Sequence, residues 1–183
     1  MQEIKDMKEK GDILKKNEEI DQKFRRIEEN LPSFQNAKDL FEKFIVQIQE
    51  EFKIPFVWIS IVNEHDLDGL IQILKSSQIL QERINIISRD AFLALISNSS
   101  KPVLANKHLK PFYKLLPRRK KFFIKSLAIT PITLNNAIIG SINFGDSSHL
   151  RYQPGLDTSL LERLVSNMSS RLSIIMDSKG ETV

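Results

Sequence analysis

The sequence predicts an α+β fold in which an antiparallel sheet is flanked by helices. Two observations lead to this prediction. Apolar residues recur at helical spacing near both ends of the chain, and two apolar segments, 126–132 and 137–144, are joined by the turn-forming pair Asn135-Asn136. Helices that enclose a run of strands are typical of α+β domains, whereas doubly wound folds alternate the two kinds of element.

The first element is one long helix over residues 1–34, which contains no proline before Pro32. Its apolar residues are spaced alternately three and four positions apart, as in a coiled coil, if the polar Asn17 is counted as one of the core positions. We predict that this helix dimerises the protein, and the residues of the dimerisation stripe are Ile13, Ile20, Phe24, Ile27 and Leu31. The alternative is that the stripe packs on its own domain.

A second helix is predicted from near Asn36 to about Phe52, and Pro55 opens a strand over 56–62. The composition of residues 63–69 is that of a turn. Two apolar runs follow, at 71–74 and 84–87, and both are candidates for short strands.

Ser88 has the character of a helix cap, which predicts a short helix over 91–96 and then a strand over 102–105. The hairpin comes next, and a polar loop over 145–155 leads into a last helix over about 157–176. The predicted organisation is a coiled-coil helix, a compact domain and a flexible tail, with the bounds 1–34, 35–177 and 178–183.

The hairpin resembles a known family. Its strands, Ser126-Leu-Ala-Ile-Thr-Pro-Ile and Ile139-Gly140-Ser-Ile-Asn-Phe-Gly145, are similar to the closing hairpin of a GAF domain. The residues after it resemble more particularly an uncharacterised bacterial family of GAF-like proteins, through Asp146, Arg151-Tyr152, Pro154-Gly155 and Thr158. Tyr152 stands where that family tends to have Phe, and Asp157 where it tends to have Gly.

This resemblance covers about residues 36–176, and it implies a sensory or signalling module that is often dimeric and binds a small-molecule effector. The residue series typical of cyclic-nucleotide GAF domains is not visible. The chain also contains no cysteine, so it has no thiol to attach a bilin chromophore or to form a disulfide. A fold alone does not fix a function.

Composition places the chain among ordinary globular proteins, with 183 residues of which 41% are hydrophobic and 27% are charged. Its first residues are charged and differ from a secretory signal. No apolar run approaches the roughly 20 residues that span a bilayer. We therefore expect a cytoplasmic protein that does not enter a membrane.

An effector site is predicted from the alternation of side chains along the strands. Each of the three main strands has an aliphatic side and a side with small or polar residues. If the polar sides share one surface, they form a ligand-binding pocket of the kind that orients an effector. Its residues are Trp58, Ser60, Ser126, Thr130, Ser141 and Asn143. The alternative is a sheet face open to water.

The segment 101–125 is basic throughout, since no acidic residue interrupts its lysines and arginines. We predict that it is a lid over the effector site and that Arg118 and Arg119 attract an anionic ligand. It is also consistent with a solvated surface loop. A second class of function, nucleic-acid binding or protein docking through this segment, remains the alternative.

No catalytic motif is present, so we predict a non-enzymatic protein without metal or cofactor. Glu64, His65, Asp66 and Asp68 form a polar turn rather than a metal site with distant ligands. The loop 145–155 is predicted to be structural. In it Asp146 and Arg151 form an ion pair, and Pro154-Gly155 turns the chain into the last helix.

Overall fold

The computed structural model describes residues 2–116 and 123–180, with side chains for 10–116 and 123–178. The helices are α1 (Gln2–Asn30), α2 (Ala37–Phe52), α3 (Asp68–Lys75), α4 (Arg89–Leu95) and α5 (Ser159–Gly180). The strands are β1 (Phe56–Val62), β2 (Ile84–Ile87), β3 (Val103–Ala105), β4 (Ser126–Leu134) and β5 (Ala137–Asp146).

The strands form one sheet with the order β2-β1-β5-β4-β3. Strands β1 and β2 are parallel, and the other neighbours are antiparallel. The predicted α+β class is confirmed, although the sheet is mixed because the connection through α3 returns the chain in the same direction as β1.

The hairpin forms as the sequence predicts. Asn135 and Asn136 both adopt left-handed backbone conformations, with φ angles of 49° and 67°. A two-residue turn of this type has the twist that antiparallel strands need, and asparagine tolerates positive φ better than most residues. The turn sets the pairing of Thr133 with Ile138, and a β-bulge between Ile132 and Thr133 then shifts the register by one residue before β4 and β5 cross the centre of the sheet.

Helices α1, α2 and α5 pack together over one face of the sheet. The aliphatic side of β1 faces them, because Val57 and Ile59 pair with Phe144 and Ile142 of β5 in the buried core. Ile27 and Leu31, near the end of α1, belong to this same core. The predicted boundary after residue 34 therefore does not separate two independent cores.

Two other expectations need correction. The apolar run at 71–74 is part of helix α3 and not a strand, because Leu70, Ile71 and Leu74 lie on one helical face that is buried. The last helix extends through Gly180, so residues 178–180 of the predicted tail 178–183 belong to α5, and 181–183 lie outside the described residues.

Within the described ranges, no helix combines the length and the apolar character needed to cross a membrane.

Candidate functional site

Four of the six predicted ligand-binding residues lie together on the sheet face opposite to α5. Trp58 pairs with Asn143, and Ser60 pairs with Ser141, on the neighbouring strands β1 and β5. Directly paired residues in an antiparallel sheet point to the same side. All four are almost completely buried, and we call them the central polar cluster.

Two donors of this cluster converge on a single backbone oxygen. The indole Nε1 of Trp58 donates to the carbonyl oxygen of Leu115 at 2.6 Å, and the hydroxyl of Ser60 donates to the same oxygen at 3.2 Å. Leu115 follows a 3-10 turn, Lys110–Lys114, which crosses this face of the sheet. Residues 110–116 form the cover segment of the cluster.

Asn143 connects the remaining members of the cluster. Its Nδ2 donates to the hydroxyl of Ser60 at 3.1 Å and to the carbonyl of Trp58 at 3.4 Å. Its Oδ1 accepts from the hydroxyl of Ser141 at 2.8 Å. A buried polar group without a partner costs about 1–3 kcal/mol, so the cluster is stable only while Leu115 or another acceptor completes it.

Ser126 and Thr130 lie on the other face of the sheet, and the prediction of one shared surface is wrong for them. In β4, Ile129 pairs with Asn143 and so points to the face of the cluster. Ser126 and Thr130 alternate with it and therefore point to the opposite face, which α5 covers. Ser126 donates to the carbonyl of Ser148 at 2.7 Å. The cause is the β-bulge between Ile132 and Thr133. In the register that the turn sets, Thr130 would pair with Ser141, but the bulge shifts the register by one residue, so Thr130 pairs with Ile142.

The sequence did not predict that the carbonyl of Leu115 belongs to the site. Every residue has a backbone carbonyl, so no residue type marks one that accepts a hydrogen bond here. The predicted lid residues Arg118 and Arg119 lie outside the described residues, in the gap 117–122. They follow the cover segment directly in the sequence.

The predicted ion pair of the loop after β5 is confirmed. Arg151 Nη1 donates to Asp146 Oδ2 at 3.0 Å, and the other oxygen of Asp146 accepts from the amide of Ser148 at 2.7 Å. Arg151 also donates to the carbonyls of Phe52 and Lys53 at the end of α2. It therefore joins the loop to the helix layer.

The rest of this loop leads the chain into α5. Gly155, after Pro154, has a φ of +91°, a conformation that suits glycine. Asp157 caps the helix through the amide of Ser159, and this hydrogen bond lowers the pKa of the Asp157 carboxyl. Burial raises the pKa of the Tyr152 phenol, whose oxygen has no hydrogen-bond partner in the described part of the chain.

The dimerisation stripe divides into two parts. Ile27 and Leu31 are only 1% and 3% exposed because they pack into the core of their own chain. Phe24 is partly buried, with its ring 4.6 Å from that of Phe52. Ile13, by contrast, is 55% exposed, and Ile20 lies at the transition between the two parts.

Ion pairs join the C-terminal third of α1 to α5. Arg163 donates to Glu28 at 2.8 Å and to Asp21 at 3.3 Å. The hydrogen bond from Arg25, and to a lesser extent that from Arg163, lowers the pKa of Asp21. Because these contacts end at Asp21, the part of α1 before it has no such anchor among the described side chains.

Among the described residues, no group of three or more histidine, aspartate or glutamate side chains is placed to hold a metal ion. His65 and Asp68 are 2.9 Å apart on an exposed turn.

Comparison with known proteins gives a family and a fold. The family model described as "Protein of unknown function, DUF484" matches residues 2–173. Comparison with curated protein sequences finds no match. Among solved structures, the GAF domain from the Acinetobacter phosphoenolpyruvate-protein phosphotransferase is similar, with a TM-score of 0.55 and 14% identity. The similarity covers 87% of this chain and 96% of that chain, and at this identity it shows the fold alone.

Proposed function

This chain belongs to the DUF484 family of proteins of unknown function, and we propose that it is a dimeric, non-catalytic GAF-like module. On this proposal it senses a small-molecule effector at the central polar cluster and transmits the signal through its N-terminal helix. The GAF-like fold and the burial of polar side chains at the centre of the sheet support the proposal.

The observation that carries it is the convergence of Trp58 and Ser60 on the oxygen of Leu115. An effector that offers an oxygen acceptor makes the same two hydrogen bonds once the cover segment has moved aside. A carboxylate or phosphate makes them more strongly than a neutral carbonyl, since hydrogen bonds to charged groups are stronger. The basic residues Arg118 and Arg119 follow the cover segment in the sequence and favour an anion.

A matched pair of serine variants tests the site. Ser60 and Ser126 are both fully buried strand residues, and each donates to one backbone carbonyl. Replacing either with alanine is expected to cost about 1 kcal/mol of stability. Only Ser60→Ala is expected to weaken effector binding, by about tenfold, because only Ser60 belongs to the central polar cluster.

Native mass spectrometry of freshly purified protein measures this effect. The wild type and Ser126→Ala should retain a small molecule that Ser60→Ala loses. Trp58 is the only tryptophan, so its fluorescence reports the same event directly. Equal retention by both variants would contradict the proposed location. Tight, salt-sensitive nucleic-acid binding without a retained small molecule would favour the alternative function.

Dimerisation is proposed for the exposed part of α1. At 1.5 Å per residue, the 29-residue helix is about 43 Å long. Side chains 12–19 are exposed, among them Ile13 and Leu14. An isolated helix of this polarity is marginal in water, so a second copy that covers the apolar positions would stabilise it.

Replacing Ile13 with lysine is therefore expected to convert a dimer into a monomer without unfolding the domain. Glu18→Lys is the control, because it places the same side chain on the exposed part of the same helix, outside the stripe. Sedimentation equilibrium at roughly tens of micromolar measures both. A monomeric wild type, or equal dissociation of the two variants, would contradict the proposal.

A further inference from the structure

A cleft lies on the opposite face of the sheet from the central polar cluster. It has a volume of about 490 Å³ and lies between β4 and the first half of α5. Volumes of this size are usual for small-molecule sites. Its lining is rich in hydroxyl groups and includes the side chains of Lys101, Thr130, Ser159, Glu162, Arg163 and Ser166.

The sheet leaves this space open because β3 is short. It pairs with Leu127–Ile129 of β4 and begins at Val103. From Thr130 onward, β4 therefore has no strand beside it on that side in the described part of the chain. Lys101 lies just before β3 and borders the open edge.

Thr130 is the unusual residue of the cleft. It is only 2% exposed, yet its hydroxyl has no hydrogen-bond partner among the described residues. Ser126, on the same strand and the same face, has its partner in the carbonyl of Ser148. A buried hydroxyl without a partner is destabilising, so its presence at the wall of a cleft points to a ligand that supplies the missing bond.

The charged groups of the cleft indicate what this ligand carries. Arg163 is already paired with Glu28 and Asp21. Lys101 has no ion pair within the described ranges. Glu162 accepts from Thr158 through Oε1 at 2.6 Å, and no described donor contacts its second oxygen. The cleft therefore offers one cation for an anionic group and one carboxylate oxygen for a hydroxyl donor.

We propose that this cleft binds a sugar acid, a molecule with one carboxylate and a chain of hydroxyl groups. Lys101 pairs with the carboxylate, and Thr130, Ser159 and Ser166 exchange hydrogen bonds with the hydroxyls. Glu162 accepts from a further hydroxyl. This site is separate from the effector site, and it requires no movement of the cover segment.

Isothermal titration calorimetry with gluconate tests the proposal, since gluconate has this chemistry. Glucose and hexanoate are the comparison probes, because they have the same carbon number but lack the charge or the hydroxyls. The wild type should bind gluconate saturably, glucose more weakly and hexanoate not at all. No saturable heat with gluconate, or equal binding of hexanoate, would overturn the assignment.

Variants of Thr130 provide the decisive comparison. Thr130→Val keeps the shape and removes the hydroxyl, so it should weaken gluconate binding about tenfold or more. The same change should raise the melting temperature of the ligand-free protein by about 2–4 °C, because it removes an unpartnered group. Thr130→Ser should retain binding. Undiminished affinity in Thr130→Val would refute the proposal whatever its melting temperature.

The two sites are distinguished by their controls. Ser60→Ala and Ser126→Ala should both bind gluconate like the wild type, since neither residue lines the cleft. Lys101→Gln should reduce the affinity for gluconate and leave that for glucose unchanged. If Ser60→Ala abolishes gluconate binding, the ligand occupies the central polar cluster and the cleft proposal fails.

Discussion

Replacing Gly140 with alanine is expected to destabilise the protein by about 3 kcal/mol or more. A Cβ at this position would lie 2.0 Å from the carbonyl oxygen of Ser60, which is backbone and cannot turn away. The φ angle of +155° is also one that residues with side chains rarely adopt. Thermal denaturation should show a fall of about 6–12 °C in melting temperature.

Gly69→Ala is the matched control. Gly69 lies in α3, and nothing lies within 4 Å of the position its Cβ would take. Alanine leaves the unfolded chain less conformational freedom than glycine does, and it fits the helical conformation without strain. The free energy of unfolding of this variant should therefore rise by about 0.5–1 kcal/mol. Opposite signs for the two variants are the expected result. A stability for Gly140→Ala close to that of the wild type would contradict the pairing of β1 with β5 described above.

Replacing Arg151 with alanine is expected to cost about 2–4 kcal/mol. The change removes the ion pair with Asp146, whose side chain is only 11% exposed, and leaves that carboxylate without its cation. It also removes the donors to the carbonyls of Phe52 and Lys53. One ion pair to the end of β5 and two hydrogen bonds to the end of α2 are lost together, so the effect exceeds that of one surface ion pair.

His149→Ala is the control for Arg151 because both residues lie in the same loop. The ring of His149 is exposed and makes one long contact, 3.4 Å to the carbonyl of Asn106. Its loss should change stability by less than about 0.5 kcal/mol. Urea denaturation compares the two variants under the same conditions. Equal, negligible effects would free Arg151 for another role, such as contact with a partner protein.

The elements with strong local signals were predictable from the sequence. The hairpin is one, because Asn135-Asn136 specifies its turn and apolar residues mark both strands. The GAF-like resemblance rests on this hairpin, and the structural comparison confirms the fold that it implies. The run 71–74 was not predictable, since a short apolar segment fits a strand or a buried helix equally well.

The site was predictable only in part, for a physical reason. Alternation placed Trp58 and Ser60 on one side of β1, and Ser141 and Asn143 on one side of β5. It could not fix the side of β4, because the β-bulge between Ile132 and Thr133 shifts the register against β5 by one residue, and alternation along a strand does not reveal a bulge. The acceptor from Leu115 depends on a contact between residues far apart in sequence, which no local pattern encodes.

The continuity of α1 has a mechanical consequence. The helix is anchored in the core near its C-terminal end by Ile27 and Leu31 and is continuous from Gln2 to Asn30. With its exposed part stabilised by the proposed second copy, we expect it to move as one rigid element. From Ile20 to Gln2 it projects about 27 Å. A tilt of about 10° at the base, small enough for side-chain repacking, displaces the tip by about 5 Å at that rise per residue. A small change in the tilt of α1 near the core therefore produces a larger displacement at its N-terminal end.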